Sequence, residues 1–429
     1  MLRIALVTAI LSPLLGAVGI GATLLWLPRW LREGEVARVI RAGLVVSLLA
    51  SLAVAAMAAG LAGAPFRGTV DFGSWLEVGG YEIPLVLVVD ELSVVFSLLA
   101  AALTALVGRF SRTYLHKEPG FARFFVLLGF FASGTQLVAF AGALDLFFAG
   151  WELIGISSAL FIGFFHEREM PARSSVRAFA TYRLCDAGLL IAMVTTHELL
   201  GSTRLSALAG IGALSPVAIT AIGALFLLSA MGKSAQLPFS GWLPRAMEGP
   251  TPSSALFYGA ISIHAGVYLM LRVSPVIAAA PVVAAAGVIV GLSTASYATM
   301  VARTHTDAKG ALAHATLAQI GLILAEISLG LTTLALAHLV CHALLRAWQF
   351  LRAPNMIHDA HTYGHHAHAR EEAGSEGIPV RDRLFAMALH RLRLDERIDA
   401  AVSPILSLSG RLSVLERRVR GVLSIGVRE

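Results

Sequence analysis

The amino-acid sequence predicts an all-α polytopic membrane protein with about eleven transmembrane helices. Of its 429 residues, 57% are hydrophobic and only 14% are charged, and the mean hydropathy of +0.75 is far above that of a soluble enzyme of this length. Uncharged apolar stretches long enough to cross a hydrocarbon layer of roughly 30 Å recur along most of the chain. They do not show the alternating ten-residue pattern of an outer-membrane barrel.

Each predicted helix is one of these apolar stretches. The first is too long, and too closely followed by the second, to be a cleaved signal peptide, so we expect it to be a mature helix. The predicted helices are 3–26, 42–64, 85–108, 121–142, 144–165, 177–200, 216–237, 252–273, 276–301, 309–329 and 331–352. Together they form a predicted transmembrane domain, 1–353.

Basic residues are concentrated in alternate loops, those after the first, third and fifth predicted helices. They are Arg29, Arg32, Arg38, Arg41, Arg109, Arg112, Lys117, Arg123, Arg168, Arg173 and Arg177. The loops 65–84 and 201–215 carry one arginine each. Because positive residues collect on the cytoplasmic side, we expect a multi-pass membrane protein with its N-terminus outside and its C-terminus in the cytoplasm. The net charge of +6 follows from this bias, so no nucleic-acid partner is expected.

Cofactor and metal motifs are absent from the sequence. Cys185 and Cys341 both fall inside predicted helices, and there is no CxxC pair, no GxGxxG after a strand and no phosphate loop. These patterns would mark iron–sulfur, flavin or nucleotide sites. The sequence therefore predicts no cofactor, no metal and no catalytic site of its own.

Ionisable residues inside the predicted helices are the strongest functional signal. A charge at mid-bilayer costs about 2.5 to 3.5 kcal/mol, so each such residue needs a partner, a water-filled cavity or a function. The residues are Glu152, Arg183, Asp186, Lys233, His264, Glu326, His338, His342 and Arg346. Arg183 and Asp186 lie three residues apart on one helix, so a packing ion pair and a place in an ion pathway both stay open. His264 and Glu326 have the same two interpretations.

His338, His342 and Arg346 follow one another at intervals of four residues and therefore line one face of one helix. Histidine changes charge near neutral pH and can pass protons between its two nitrogens. A row of such groups facing a bundle interior favours a proton relay over a polar stripe that only satisfies hydrogen bonds.

Lys233 ends an apolar helix that is followed by a proline-rich segment. Its prolines are Pro238, Pro244, Pro250 and Pro252. Each lacks a backbone donor and disfavours helix for the residue before it, so we expect the helix to stop near mid-membrane, where interrupted helices form ion sites. Burial favours the neutral amine of Lys233, whereas a nearby carboxylate such as Glu152 favours the ammonium ion. Moving that carboxylate would load or release a proton.

Five segments carry a family resemblance: "WELIGISSALFIGFF", "MGKSAQLPFSGWLPRAMEGPTPSSAL", "HAGVYLMLR", "TDAKGALAHATLAQIG" and "HLVCHALLRAWQFL". In order and spacing they resemble the antiporter-like subunits of respiratory complex I, especially chain L, and their relatives in Mrp-type cation/proton antiporters. The resemblance implies that Glu152 and Lys233 gate proton uptake. It also implies that Lys309, with the His338, His342 and Arg346 series, belongs to a central polar axis.

The sequence departs from that family in two places. Hydrophobicity ends near residue 353, so we expect the second half-channel and its distal lysine or glutamate to be missing, and autonomous pumping is not expected. Arg346 stands where the family has a lysine, and arginine hardly ever releases its proton. We expect it to be a fixed electrostatic plug or an anchor for Glu326 or another carboxylate.

A polar linker, 354–380, and a basic tail, 381–429, follow the last predicted helix. The tail has apolar positions at helical spacing, which predicts a cytoplasmic amphipathic helix that binds a partner or the inner leaflet of the lipid bilayer. The linker holds five histidines without a cysteine or a fixed scaffold, so we expect no metal site there. They are His358, His361, His365, His366 and His368.

The ending "LRAWQFLRAPNMIHD" resembles the membrane subunits of DAB-type inorganic-carbon uptake complexes. That resemblance implies that flow of protons, or of another ion, energises a large cytoplasmic zinc protein similar to β-carbonic anhydrases. A second antiporter-like membrane subunit is a further expected partner. Two alternatives stay open: an accessory proton-translocating subunit of a complex I-like or membrane-hydrogenase assembly, and a non-conducting structural scaffold.

Overall fold

The structure is a computed structural model that describes residues 1–26, 31–305 and 307–353, with a few isolated positions from 385 to 400. Residues 370–429 form a separate unit. Apart from those isolated positions, the predictions for the linker and the tail, including the five linker histidines, lie outside the described residues.

Eleven helices in the described part of the chain are long and apolar enough to cross a membrane, which confirms the predicted class and number. They are α1 (Leu2–Trp26), α2 (Glu33–Ala58), α3 (Glu91–Tyr114), α4 (Phe121–Phe140), α5 (Leu144–Ile162), α6 (Glu169–Leu200), α7 (Pro216–Lys233), α8 (Thr251–Arg272), α9 (Pro281–Ala302), α10 (Ala308–Ser328) and α11 (Thr332–Arg352). Short helical turns connect several of them. α2 and α6 begin earlier than predicted because polar first turns continue each helix beyond its apolar stretch.

A β-hairpin precedes α3, where the sequence predicts a loop and the start of a helix. β1 (Gly68–Val78) pairs antiparallel with β2 (Tyr81–Val89), from Gly68 opposite Val89 to Val78 opposite Tyr81. The turn residues Gly79 and Gly80 have φ of 59° and 85°, the left-handed region that a tight hairpin turn requires. The apolar, β-branched run "LVLVV" in β2 has the hydropathy of a helix but the composition of a strand.

Polar caps fix where the helices begin. Asp90 caps α3 by accepting a hydrogen bond from the Ser93 amide at 2.8 Å. Ser215 caps α7 in the same way, and Pro216 occupies its first turn, where a missing N–H costs nothing. Asp307 caps α10 through the Gly310 amide at 2.6 Å.

Helix α8 lies at the centre of the bundle, and its apolar membrane-spanning stretch is entirely buried. It is not a regular helix: Ser254–Ala260 is π-helical, and only His264–Arg272 is again α-helical. Helix α11 packs against the π-helical part, while α7 packs against the later part. No proline lies between Ser254 and His264, so the sequence predicts one continuous helix where the structure changes from π-helix to α-helix.

The two ends of the bundle are marked by contacts of α8. At the hairpin end, Arg272 forms an ion pair with Asp90 at 2.5 Å. At the opposite end, the Tyr114 hydroxyl on α3 is 3.1 Å from Thr251 Oγ1. The consecutive pairs α1–α2, α4–α5, α6–α7 and α9–α10 pack along one another around this central helix.

Candidate functional site

The ammonium group of Lys233 is completely buried at the end of α7. Its Nζ donates to the Trp151 backbone oxygen at 3.2 Å. It also lies 4.6 Å from the centre of the Trp151 ring and 4.8 Å from that of Tyr182. Aromatic faces attract a desolvated cation, so these two rings stabilise the ammonium ion. The helix ends at Lys233, just before the proline-rich segment and four residues before the predicted limit of 237, and the depth of that end in the membrane stays a prediction.

Gly155 on α5 makes the space that the Lys233 side chain occupies. A Cβ atom at this position would lie 2.9 Å from Lys233 Nζ and 3.4 Å from a terminal nitrogen of Arg183. The first distance is shorter than real Cβ contacts. Any side chain larger than hydrogen would therefore displace the ammonium group.

Glu152, Arg183 and Asp186 form one ion-pair network beside the lysine. The Arg183 guanidinium pairs with Glu152 through one terminal nitrogen and with Asp186 through the other, the latter at 2.7 Å. Asp186 also accepts a hydrogen bond of 2.5 Å from the Trp151 indole. The expected direct pair of Glu152 with Lys233 is thus replaced by Glu152–Arg183, because the guanidinium reaches both carboxylates at once. The ion pair predicted within α6 is present.

The network is more accessible than the lysine. The Arg183 side chain is 35% exposed and that of Glu152 is 18% exposed, whereas Lys233 is fully buried. One carboxylate oxygen of Glu152 has no hydrogen-bond partner in the part of the chain that the structure describes. Of the two carboxylates in the network, Glu152 is the more exposed, since the Asp186 side chain is only 3% exposed.

A hydroxyl cluster of Ser158, Tyr182, Tyr258 and Ser262 includes Tyr182 of the aromatic wall of the lysine site. The Oγ atoms of Ser158 and Ser262 are 3.4 Å apart, and the Tyr258 hydroxyl donates to the Ser158 backbone oxygen at 2.8 Å. The Tyr182 hydroxyl has no partner of normal hydrogen-bond geometry among the described residues. Each of these hydroxyls can both donate and accept a hydrogen bond.

His264 on α8 contacts His342 on α11. The distance from His264 Nε2 to His342 Nδ1 is 3.0 Å, and both side chains are buried. Arg346 donates from Nε to His342 Nε2 at 3.1 Å and from a terminal nitrogen to the Gln349 side-chain oxygen at 2.6 Å.

His338, one turn before His342, has different partners. Its Nδ1 is 2.9 Å from a Glu326 carboxylate oxygen, and its Nε2 is 2.9 Å from the Gln319 side-chain oxygen. The expected Arg346–Glu326 contact is therefore wrong: Glu326 lies near the end of α10, where it contacts His338, about two turns of α11 nearer the hairpin end than Arg346. The polar row of α11 does face the interior as predicted.

Lys309 lies at the opposite end of the bundle, in the first turn of α10. Its Nζ donates to Thr251 Oγ1 at 3.0 Å, and the side chain is largely buried. Thr251 also contacts Tyr114. Burial raises the pKa of the neighbouring Asp307 carboxyl, but hydrogen bonds from the Gly310 amide and His305 outweigh it and hold the pKa below its usual range.

The structure thus brings nearly all the predicted site residues together in two groups. Glu152, Arg183, Asp186 and Lys233 form the first, and His264, His342, Arg346, His338 and Glu326 form the second. Lys309 stands apart at the opposite end.

Several groups of this site were not identified from sequence. Trp151 and Tyr182 cannot be recognised from sequence as part of the site, because aromatic residues in apolar helices usually fill cores. Serines in apolar runs, such as Ser158 and Ser262, are a usable signal that marks polar positions of a helix interface. Among the described residues, no group of three or more His, Cys, Asp or Glu is arranged to hold a metal ion.

Residues 141–392 match the family described as "NADH:quinone oxidoreductase/Mrp antiporter, TM", and residues 75–125 match "NADH-Ubiquinone oxidoreductase (complex I), chain 5 N-terminus". The chain is 38% identical over 291 residues to NADH-quinone oxidoreductase subunit L of Mycobacterium tuberculosis, covering 67% of this chain and 46% of that protein. It is 37% identical over 281 residues to "Probable inorganic carbon transporter subunit DabB1" of Halothiobacillus neapolitanus, covering 64% and 50%.

Among solved structures, the chain is similar to one in the Mrp complex from Dietzia sp. DQ12-45-1b, with a TM-score of 0.67 and 27% identity over 81% of this chain and 36% of that one. The chain spans about half the length of the curated relatives that it matches.

Proposed function

Because this chain belongs to the NADH:quinone oxidoreductase/Mrp antiporter family, we propose that it conducts protons through a membrane along its buried polar axis. One observation carries the proposal: Lys233 is a fully buried ammonium group at a helix end with charged groups on one side and proton-passing groups on the other. An intramembrane ionisable residue in such a position is a functional site by default.

Proton loading follows from the charges around Lys233. Burial of the Lys233 side chain favours the neutral amine, while nearby carboxylates such as those of Glu152 and Asp186 favour the ammonium ion. A proton that arrives at the accessible Glu152 removes one of those negative charges. Lys233 then holds its own proton less strongly and releases it inwards, so one proton enters at Glu152 as another moves on.

On this proposal the released proton moves through the hydroxyl cluster to the second group. The cluster includes Tyr182, over whose ring the lysine sits, and Ser262, which precedes His264 by two residues. His264 is hydrogen-bonded to His342, and imidazoles accept a proton on one nitrogen while giving one from the other. His338 and Glu326 lie further towards the hairpin end.

We propose that this proton flow energises inorganic-carbon uptake. The similarity to a protein named as an inorganic carbon transporter subunit supports this branch. On this proposal the chain lies in the bacterial cytoplasmic membrane, N-terminus outside and C-terminus inside. It energises a large cytoplasmic zinc protein resembling β-carbonic anhydrase, and a second antiporter-like membrane subunit is a further partner.

A second candidate is an accessory proton-translocating subunit of a complex I-like assembly. The 38% identity to subunit L of NADH-quinone oxidoreductase favours it as strongly as the carbon-uptake branch is favoured. Co-purification from the native membrane separates the two candidates: a zinc protein with carbonic anhydrase activity supports the first, and quinone-reductase subunits support the second.

Proton flux into vesicles that contain the purified protein and its native partners tests the shared proposal. Lys233→Ala is expected to reduce flux to the level of empty vesicles while the protein still inserts and assembles. Lys117→Ala is the matched control, because Lys117 is an exposed lysine in a loop, and it is expected to conduct like wild type. Wild-type flux in Lys233→Ala would exclude a pathway through Lys233, whereas a wild type that conducts no better than empty vesicles would identify a structural scaffold instead.

A further inference from the structure

Arg346 fixes the position of the proton on His342. Arg346 Nε lies 3.1 Å from His342 Nε2, and a guanidinium group only donates hydrogen bonds. His342 Nε2 must therefore accept and carries no proton. The neutral imidazole then holds its proton on Nδ1, which is 3.0 Å from His264 Nε2. The hydrogen bonds run in one direction, from Arg346 through His342 to His264.

His338, one turn before His342 on α11, has different partners. Its ring nitrogens lie 2.9 Å from a Glu326 carboxylate oxygen and 2.9 Å from the Gln319 side-chain oxygen. Both oxygens can accept hydrogen bonds, so the surroundings of this ring suit an N–H group on either nitrogen. The centres of the His338 and His342 rings are 6.3 Å apart.

Two contacts of His342 leave no acceptor for a second proton on its ring. His264 on α8 already accepts from Nδ1, and the positively charged Arg346 guanidinium occupies the acceptor position of Nε2. On α10, the carboxylate of Glu326 is already paired with His338. Gln349 holds the Arg346 guanidinium in place at 2.6 Å.

We propose that Arg346 is a latch that keeps His342 neutral and interrupts proton transfer between His338 and His264 until its Nε leaves His342 Nε2. Once the latch opens, His342 Nε2 accepts the proton that His338 gives up, and His342 Nδ1 passes its own proton to His264 Nε2. One N–H bond forms for each that breaks, and the reverse transfer is equally balanced. The latch rests on the proposed proton conduction, and Arg346 is a positioning residue that acts through His342.

Nitrogen-15 NMR of the full-length protein, labelled at histidine, reads the latch without any transport measurement. The His342 signals are assigned by their loss in His342→Asn. In wild type, His342 is expected to stay neutral with its proton on Nδ1 from pH 5 to 8, and in Arg346→Met it is expected to take up a second proton in that range. Arg352→Met removes an exposed arginine from the same helix and is expected to leave His342 neutral. A wild-type His342 that becomes imidazolium near pH 6, or one that stays neutral in Arg346→Met, overturns the latch.

Proton flux gives the second readout. Losing a hydrogen bond from a charged donor is expected to raise flux by about 10- to 100-fold in Arg346→Met. Arg346→Lys keeps the positive charge at this position and is expected to raise flux to a smaller extent. If Arg346→Met does not assemble, Arg346→Lys and Gln349→Leu, which frees the guanidinium, carry the test. Flux that falls to the level of Lys233→Ala in these variants contradicts the latch and leaves the proposed conduction intact. Flux that persists in Lys233→Ala contradicts the proposed pathway through Lys233, while the NMR result still decides the latch.

Discussion

Arg183 on α6 forms an ion pair with Glu152 on α5, and the same guanidinium holds Asp186. The acidic group expected to face the buried lysine is therefore already bound by a permanent cation. Any change in the charge of Glu152 is felt by Arg183 directly and by Lys233 through space. This coupling makes Glu152 the residue whose charge should control the site.

Glu152→Gln is expected to abolish proton flux without preventing assembly. Glutamine has the size of glutamate but cannot take up a proton, and Arg183 keeps its pair with Asp186. Flux in vesicles is the measurement, and size-exclusion chromatography of the purified complex checks assembly. Wild-type flux in this variant would remove Glu152 from the pathway, whereas loss of assembly would indicate a packing role.

Gly155→Ala is expected to reduce proton flux by displacing Lys233. The added methyl group would meet Nζ at 2.9 Å, and the ammonium group would lose its contact with the Trp151 carbonyl. Gly19→Ala is the matched control, because Gly19 is also helical and a Cβ there meets nothing within 4 Å. Equal flux in the two variants would show that the fit of the lysine against α5 does not matter.

The Asp90–Arg272 pair is expected to make stability depend on pH. Burial raises the pKa of Asp90, but the Arg272 charge and hydrogen bonds from Arg272 and Ser93 outweigh this and hold the pKa below its usual range. Because the unfolded carboxyl has a pKa of about 3.9, the pair stabilises the fold above that pH. The stabilisation is lost as the pH falls towards the lower folded value.

Asp90→Asn should therefore lower stability by about 1 to 2 kcal/mol at pH 7, less than for a fully buried pair because Asp90 is 39% exposed. Thermal unfolding in detergent, compared with wild type from pH 3 to 7, measures the difference. It should shrink below about pH 4. A difference that stays constant over this range would show that the charge of Asp90 is not what stabilises the hairpin end.

Deletion of residues 376–429 is expected to release a cytoplasmic partner and to abolish coupled uptake while the protein still inserts. The segment is rich in arginine, with apolar residues at helical spacing, and such a segment docks on a protein or lies on anionic lipid at about 1 kcal/mol per basic residue. Co-purification from membranes and growth in ambient air are the measurements. A partner that remains bound, with uptake intact, would place docking in the short cytoplasmic loops.

The number of helices and the end of α7 at Lys233 could be predicted from sequence because hydropathy and proline chemistry are local properties. The same reasoning failed at β2. Its apolar run is as hydrophobic as a membrane helix and was predicted to begin one, although its β-branched residues suit a strand. The Gly79–Gly80 pair before it was a usable turn signal.

The site was predicted by residue but not by partner. Burial cost selects Glu152, Lys233 and His342 one at a time, whereas pairing depends on how helices rotate against each other. Whether Glu152 meets Lys233 or Arg183 is a matter of a few ångströms between α5, α6 and α7. The Arg346–His342 bond can be suggested from their spacing of four, but its direction requires the third residue, His264, on another helix.

The π-helical stretch of α8 also sets the angular position of everything that follows it. Each residue rotates an α-helix by about 100° about its axis. In the wider π-helical turn each residue contributes a smaller rotation, so the residues that follow point in a different direction. Removing a single residue from Ser254–Ala260 would leave the chemistry of α8 intact but swing the His264 ring away from α11. The number of residues in this segment thus determines the direction in which the His264 ring points. A change of chain length here can alter the junction between the two groups of the site without substituting any ionisable residue.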